Sequence, residues 1–193
     1  IIISRSNNWK NRVPSKLNNK LKKNKSFLKS YKKLKVLVTG STGFKGAWLC
    51  NWLFLLGSKV VGVGLKPEKD SIIFSSLNLN KKINQYFIDI KNFNKINDII
   101  KKEKPDIIFH LAAQSIVSLS YKSPLETFGT NILGSANVLE SVRINKTPNL
   151  VYITSDKCYL NLDKMGSYKE SDILGGLDNY SSSKASAEII FAS

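Results

Sequence analysis

The stretch from Lys35 to Gly46, KVLVTGSTGFKG, constrains the fold of this chain more than any other part of the sequence. Its short, continuous run of β-branched apolar residues is typical of a strand buried on both faces of a parallel sheet. Three glycines follow, Gly40, Gly43 and Gly46, and then a helical pattern begins. In such a turn the glycines permit a tight bend, close approach of a pyrophosphate, and tight helix packing. The stretch predicts a dinucleotide-binding βα unit, the alternative being a glycine-rich turn with no ligand.

The same succession of strand and helix repeats along the chain. Strand-like apolar runs occupy residues 35–40, 59–65, 86–90, 105–113 and 149–155, and helical patterns occupy residues 44–57, 92–104, 123–145 and 180–193. Strands that alternate with helices form right-handed crossovers and a parallel sheet. We therefore predict an α/β fold with a doubly wound parallel, Rossmann-like sheet.

The basic charge is concentrated at the amino terminus. The chain has 193 residues and a net charge of +16, but residues 1–35 hold twelve of its 30 basic residues and no acidic one. The remainder holds 18 basic and 14 acidic residues, a net charge of +4. We interpret residues 1–33 as a basic, disordered leader, because they offer little surface to bury, and residues 34–193 as the dinucleotide-binding domain. Contact with nucleic acid is the alternative for the leader, but a solvated leader is the interpretation we favour.

Several classes of protein are disfavoured by composition. No apolar run has the length of a membrane span, and the first residues do not resemble a signal peptide. Cys50 and Cys158 are far apart and lack the spacing of metal ligands. We therefore expect no metal site, no disulfide, no membrane partner and a cytoplasmic location.

A candidate catalytic pair lies near the carboxy terminus, in YSSSK. Tyr180 and Lys184 are four residues apart at the predicted start of a helix, so they share one face. A nearby ammonium favours the phenolate form of a tyrosine, which can then accept a proton from a substrate hydroxyl. A second cluster, TSDKCY, follows the fifth strand-like run and contributes Ser155, Asp156 and Lys157.

Other polar residues near predicted strand ends have two interpretations each. Lys66 stands where an acidic residue would normally hold the ribose hydroxyls of NAD, so NADP is not excluded, and Glu68 and Asp70 follow it. Asp89 could meet the adenine edge of a cofactor or cap the next helix. His110 is the single histidine, and we favour a positioning role over proton transfer.

Together these motifs resemble the extended short-chain dehydrogenase/reductases. The matching strings are VTGSTGFKGAWL, HLAAQ, PLETFGTNILG, TSDKCY and GSYKESDILGGLDNYSSSK, spread over residues 35–193. Within that family they are most similar to the group of nucleotide-sugar 4,6-dehydratases that act on CDP-glucose. The resemblance implies an NAD-type cofactor, a nucleotide-sugar substrate, and a reaction in which C4 is oxidised, water is eliminated and hydride returns to C6.

The resemblance also implies a role for each site residue. Tyr180 would be the base at C4 with Lys184 as its partner, Ser155 would hydrogen bond near the sugar O4, and Asp156 would protonate the departing 6-hydroxyl. Lys157 stands where related dTDP-sugar dehydratases have a glutamate, so either it would be neutral and accept the C5 proton or another group would do that step. We expect cofactor contacts from Gly40, Thr42, Gly43, Phe44, Gly46, Asp89, Ile90, Leu111, Ala112, Ala113, Tyr180 and Lys184, and substrate contacts from Gln114, Ser155 and Asp156.

The sequence also departs from that family. SIVSLS follows HLAAQ where the group tends to have an arginine-containing segment. The carboxy-terminal region that builds much of the substrate pocket in the family is absent, so this chain alone could be inactive. The alternatives are an epimerase or reductase of the same family, and a non-catalytic dinucleotide-binding module. A homodimer formed through the long helices is common in the family.

Overall fold

The computed structural model describes residues 30–67, 72–163 and 166–193. Its strands are β1 (Lys35–Thr39), β2 (Lys59–Gly64), β3 (Asn84–Phe87), β4 (Ile107–His110) and β5 (Leu150–Tyr152). Its α-helices are α1 (Phe44–Leu55), α2 (Ile72–Ser76), α3 (Leu79–Lys82), α4 (Phe93–Glu103), α5 (Val117–Lys122), α6 (Pro124–Phe128), α7 (Ser135–Asn145) and α8 (Asn179–Ala192). A π turn (Gly129–Gly134) joins α6 to α7, and a 3₁₀ turn (Asp156–Cys158) follows β5.

The sheet is parallel throughout, in the order β3-β2-β1-β4-β5. β1 lies at the centre, with Val36 paired to Val60 of β2 on one side and to Ile107 of β4 on the other. Strands β2 and β3 are therefore added on one side of β1, and β4 and β5 on the other, so the strand order reverses between β1 and β4. In open α/β sheets ligands bind outside the carboxyl ends of the strands at this point. The predicted doubly wound, Rossmann-like fold is confirmed.

Two hydrophobic cores cover the two faces of the sheet, because successive side chains of a strand point to opposite sides. Val36 and Val38 of β1 face one core, and Leu37 faces the other. The first core is completed by residues of α1, α2 and α3, such as Leu53. The second core is completed by residues of α4 and α7, such as Ile96. These layers leave the carboxyl edge of the sheet uncovered for a site.

The observed elements differ from the prediction in three places. β3 begins at polar Asn84 and ends at Phe87, because Ser41 and Glu103 bind the polar side chains of its first two residues and β2 ends opposite Phe87. The predicted long helix at residues 123–145 is interrupted by the π turn. The short helices α2, α3 and α5 had no counterpart in the prediction.

Most of the predicted basic leader lies outside the described residues, as do Glu68 and Asp70. Its last residues pack beside α1, where the backbone N–H of Lys33 donates to the carbonyl of Gly57 at 2.9 Å. In the described ranges, none of the helices has the length and apolar character needed to cross a membrane.

Candidate active site

A cleft of about 540 Å³ runs along the carboxyl ends of all five strands. All the predicted cofactor residues line it, as does Ser155, whereas Gln114, Asp156 and Lys157 do not. The lining residues are Gly40, Thr42, Gly43, Phe44, Lys45, Gly46, Gly64, Leu65, Ile88, Asp89, Ile90, Leu111, Ala112, Ala113, Ser115, Thr130, Ile153, Thr154, Ser155, Tyr180 and Lys184. The cleft therefore brings together the glycine turn, the end of β5 and the Tyr–Lys pair.

The glycine turn has the geometry that its spacing predicted. Gly40 has a φ of +72°, in the left-handed region that favours glycine. A Cβ on Gly46 would lie 2.0 Å from the carbonyl oxygen of Gly40, so only glycine lets α1 pack this closely. Gly43 is the amino-terminal cap of α1, and as a glycine it has no side chain to bond to the first turn of that helix. The free end of α1 is a place where an anion would be stabilised by N–H groups and the helix dipole.

The other end of the cleft is formed by residues after β2 and β3. Lys66 is exposed and does not line the cleft, whereas Gly64 and Leu65 before it do. Asp89 lines the cleft and accepts a hydrogen bond from the backbone N–H of Lys91 at 2.9 Å. The alternative role of Asp89 as a helix cap is wrong, because the side chain of Asn92 caps α4.

Tyr180 and Lys184 lie one turn apart on α8, with the Lys184 ammonium nitrogen 6.0 Å from the Tyr180 ring centre. Both are buried, with exposed fractions of 8% and 7%. Burial lowers the pKa of Lys184, and the positive charge of Lys45 lowers that pKa further. In the described ranges, neither the phenol oxygen of Tyr180 nor the ammonium of Lys184 has a hydrogen-bond partner. Both groups are thus available to a bound ligand.

The amino-terminal end of α8 is fixed by Asp178. Its carboxylate accepts from the backbone N–H of Ser181 at 2.9 Å and from the Ser181 hydroxyl at 2.6 Å. Burial would raise the pKa of Asp178, but these hydrogen bonds outweigh burial and hold that pKa below its usual value. The loop before the cap is tied to the 3₁₀ turn, because the N–H of Gly175 donates to the carbonyl of Cys158 at 2.9 Å. The cap therefore sets where Tyr180 enters the cleft.

The TSDKC stretch leaves the sheet immediately after β5 and turns over the cleft. The Ser155 hydroxyl donates to the Asp156 carboxylate at 3.0 Å and accepts from the backbone N–H of Lys157 at 3.1 Å. The side chains of Asp156 and Lys157 are exposed beside the cleft. The described part of the chain therefore does not give Lys157 the burial that would favour a neutral amine. Cys158, which follows Lys157, is buried.

His110 lies beneath the cleft floor and does not line it. Its Nδ1 is 2.7 Å from the Thr39 hydroxyl, and its Nε2 is 3.0 Å from the Ser135 hydroxyl. Burial, with a smaller effect from the charge of Lys184, lowers its pKa from 6.5 to about 3. A neutral ring held at both nitrogens supports the predicted positioning role over proton transfer.

Gln114, predicted to contact substrate, is bonded within the protein. Its side-chain nitrogen donates to the Ile116 carbonyl at 3.1 Å and to the Thr127 hydroxyl at 2.9 Å. Its backbone is held by Asn131 of the π turn, whose amide oxygen accepts from the Gln114 N–H at 2.8 Å. Asn131 also donates to the Ser183 hydroxyl at 2.9 Å, and so joins the end of β4 to α8.

Several residues at the site were not found from the sequence. Lys45 lies in the cleft inside the glycine turn, and Thr130 and Thr154 line it from the π turn and the end of β5. The Thr154 hydroxyl donates to the carboxylate of Glu188 on α8. The four-residue spacing from Lys184 to Glu188 was visible in the sequence, but the proximity of Thr154 was not.

The model of the GDP-mannose 4,6 dehydratase family matches residues 37–193 of the chain. The chain is 42% identical over 157 residues to a CDP-glucose 4,6-dehydratase of Salmonella typhimurium, a match that covers 81% of this chain and 44% of that protein. It is 33% identical over 135 residues to a UDP-glucose 4-epimerase of Rickettsia bellii, covering 68% of this chain and 39% of that protein.

A similar solved structure is the UDP-glucose 4-epimerase from Stenotrophomonas maltophila with bound NAD and formylated UDP-arabinopyranose. The TM-score is 0.73 at 26% sequence identity, covering 82% of this chain and 48% of that chain. The chain thus spans less than half the length of each of these relatives.

Proposed function

The chain belongs to the GDP-mannose 4,6 dehydratase family, and on that premise we propose that it is the cofactor-binding portion of a nucleotide-sugar 4,6-dehydratase. The proposed substrate is CDP-glucose and the proposed product is the CDP-4-keto-6-deoxy sugar. The 42% identity to the Salmonella CDP-glucose 4,6-dehydratase supports this choice. The observation that carries the proposal is the convergence of the glycine turn, Ser155, Tyr180 and Lys184 on one cleft.

The residues of the cleft fit a dinucleotide of the NAD type. The end of α1 and the Gly40–Gly46 turn would hold its phosphates, since the cap residue Gly43 leaves the first N–H groups of the helix without a side-chain cap. Asp89, at the end of β3, would face its adenosine half. Tyr180 and Lys184 would contact its nicotinamide half. When bound, NAD would supply the acceptor and later the donor of one hydride.

Tyr180 would act as the base at the sugar C4 hydroxyl. The Lys184 ammonium lies close to the Tyr180 ring and would stabilise the phenolate that forms when the proton is removed. Ser155, at the edge of the cleft, would hydrogen bond to the C4 oxygen and fix the hydroxyl toward Tyr180. These residues account for proton transfer and orientation in the oxidation step.

Asp156 and Lys157 would act on the elimination of water. We propose Asp156 as the acid that protonates the departing 6-hydroxyl, since it adjoins Ser155 and is free to face a substrate over the cleft. The Lys157 side chain is exposed beside Asp156, and we propose that it contacts the substrate while another group of the full-length enzyme accepts the C5 proton. The proposed product retains the keto group at C4 and has lost oxygen at C6.

A nucleotide-sugar epimerase is the second candidate, because a Rickettsia bellii UDP-glucose 4-epimerase is 33% identical to the chain. Epimerisation needs the Tyr–Lys pair but no acid for water loss. The position of Asp156 next to Ser155 favours the dehydratase.

A cytoplasmic location and a homodimer are further parts of this proposal. Both cysteines are buried free thiols, as expected in a reducing compartment. Leu125 of α6 and Leu133 of the π turn have exposed fractions of 84% and 65%, which would suit burial against a second copy.

The test is incubation of the full-length gene product with NAD and CDP-glucose, followed by mass spectrometry and NMR of the sugar nucleotide. We expect loss of one water and a 4-keto-6-deoxy product. A 4-epimer of unchanged mass would establish the second candidate instead. No conversion of CDP-, UDP-, GDP- or dTDP-glucose would reject both enzyme proposals.

A further inference from the structure

A carboxylate without a role in the proposed reaction lies beside the catalytic pair. Glu188 is one turn beyond Lys184 on α8, and Tyr180 is one turn before Lys184. Residues four apart on a helix lie on the same side, one above the other. Glu188 is half-buried in this position.

Glu188 contacts the start of the turn that carries the proposed Ser155, Asp156 and Lys157, and its charge acts on the end of that turn. The Thr154 hydroxyl donates to one of its carboxylate oxygens. The thiol of Cys158, which is 3% exposed, lies within the influence of the same carboxylate. Burial raises the pKa of the Cys158 thiol, and the negative charge of Glu188 raises that pKa further, so the thiol stays protonated and can donate.

Glu188 attaches the start of the turn to α8 itself, whereas the end of the turn is tied to the loop before α8 by the bond from the Gly175 N–H to the Cys158 carbonyl. The last sheet-type hydrogen bond before the turn joins the N–H of Ile153 to the carbonyl of His110 at 3.0 Å. The bonds of Ser155 to the N–H groups of Lys157 and Cys158 shape the turn from within but do not fix it to the helix. In the part of the chain that the structure describes, the side-chain hydrogen bond from the start of this turn to α8 is the one that Thr154 donates to Glu188.

Glu188 also gives Lys184 an opposite charge. Burial and the nearby Lys45 disfavour the ammonium form of Lys184, while Cys158 and Glu188 favour it. The titratable groups that sense the charge of Glu188 come from β5, the 3₁₀ turn, the residue after it and α8. They are Tyr152, Cys158, Tyr159 and Lys184.

We propose that Glu188 is a positioning residue that clamps the Ser155–Lys157 turn to the helix carrying Tyr180 and Lys184. The clamp fixes the position of Asp156, which would act at C6, relative to Tyr180, which would act at C4. Its charge also stabilises the ammonium of Lys184. The inference rests on the proposed function for its meaning in catalysis, but the clamp itself is a property of this chain.

The geometric part of the proposal is tested at Thr154. Thr154→Val keeps the shape and removes the donor, so we expect kcat for product formation to fall about tenfold or more, the scale of one hydrogen bond to a charged group. Thr154→Ser keeps the hydroxyl and should restore kcat to within about threefold of wild type. An unchanged kcat in Thr154→Val would overturn the clamp.

The electrostatic part is tested at Glu188. Glu188→Gln retains an oxygen that can accept from Thr154 but loses the negative charge, so the pKa values of the neighbouring groups fall. The pH profile of kcat should therefore move to lower pH, whereas Thr154→Val should leave its position unchanged. Glu140→Gln is the matched control, since Glu140 is on α7 and pairs with Arg143 away from the cleft. A Glu188→Gln profile that superimposes on wild type would contradict the charge role.

A readout independent of activity separates this inference from the proposed function. Hydrogen exchange of residues 153–159, measured by mass spectrometry on the 193-residue chain, should be faster in Thr154→Val and Glu188→Ala than in wild type. Exchange in α4 should not change. If the wild-type enzyme makes no product, the dehydratase proposal fails, and unchanged exchange in these variants would independently reject the clamp.

Discussion

The hydroxyl oxygen of Thr39 lies 2.7 Å from Nδ1 of His110, across the central strands β1 and β4. The same oxygen accepts hydrogen bonds from the N–H groups of Leu111 and Ala112, both at 3.2 Å. Its own proton is therefore directed to Nδ1, which fixes the tautomer so that Nε2–H donates to Ser135. This chain of hydrogen bonds links β1, β4 and α7 under the cleft floor.

His110 should make stability depend on pH. Its pKa is about 3 when folded and near 6.5 when unfolded, so between these values only the unfolded chain gains the proton. The contribution is complete above pH 6.5 and is lost as the pH falls toward 3, by at most about 1.4 kcal/mol per unit. Urea unfolding at pH 7.5 and pH 5 measures it.

The matched variant is His110→Gln, whose amide can still bond at both positions and does not titrate. Wild type should lose about 2 kcal/mol more than this variant between the two pH values. Because the chain has a single histidine, other groups cancel in the comparison. Parallel losses in both proteins would show that His110 is not the group responsible.

Gly46→Ala should damage the glycine turn. The new Cβ would lie 2.0 Å from the Gly40 carbonyl oxygen, a backbone atom that cannot move alone. We expect a loss of about 1–3 kcal/mol in the free energy of unfolding and weaker NADH binding, followed by cofactor fluorescence. Gly129→Ala is the control, since its Cβ would meet only the Lys91 side chain at 3.4 Å. If both changes weakened NADH binding equally, the glycine turn would not be part of the cofactor site.

Tyr180→Phe should separate binding from chemistry. The ring and its packing remain, so NAD affinity should stay within about twofold, while oxidation at C4 should fall by about 10²–10⁴. Stopped-flow absorbance of the reduced cofactor measures the oxidation step. Oxidation at the wild-type rate would exclude Tyr180 as the base.

Lys184→Met should bind NAD more weakly than wild type without loss of stability. The ammonium is buried at a desolvation cost, and an apolar side chain of similar length removes that cost. Isothermal titration and thermal unfolding test the two halves of this prediction. A large drop in melting temperature would instead indicate that Lys184 serves the fold.

Asp156→Asn should leave oxidation intact and slow the loss of water. The amide cannot donate a proton to the departing 6-hydroxyl, whereas Ser155 and Tyr180 are untouched. Rapid-quench analysis should show the reduced cofactor forming at the normal rate and the product forming slowly. Asp163→Asn, at an exposed carboxylate of the following loop, should change neither step. Equal slowing of both steps would mean that Asp156 is not the acid.

The fold was predictable because its strong signals are local. The central strands β1, β2 and β4 are short, mainly apolar segments that are stable when both faces are buried. The turn after β1 is equally local, because the positive φ of Gly40 favours glycine. β3 was placed two residues too late because its first residues are polar. Their hydrogen-bond partners are distant in the sequence: Asn84 donates to Glu103, nineteen residues further along the chain, and Gln85 accepts from Ser41.

The site residues that could be predicted are those whose spacing in the sequence itself determines a local backbone geometry. The glycine turn and the Tyr180–Lys184 spacing are of that kind, and both lie in the cleft. Glu188 could not be identified, because a carboxylate four residues after a lysine is common on helices. Its partner Thr154 becomes its neighbour only when β5 and α8 pack together.

The π turn at Gly129–Gly134 lets successive parts of one helical segment contact different partners. Within the turn, Thr130 lines the cleft and Asn131 hydrogen bonds to Gln114. Beyond the turn, Val138 of α7 packs in the core. A π turn holds about one residue more than an α-helical turn, and a regular α-helix turns about 100° per residue, so removing one residue from the π turn would leave a regular helix with α7 still facing the core. A single deletion within α7 would instead rotate the residues after it away from their partners, and we expect such deletions to be far less tolerated there than in the π turn.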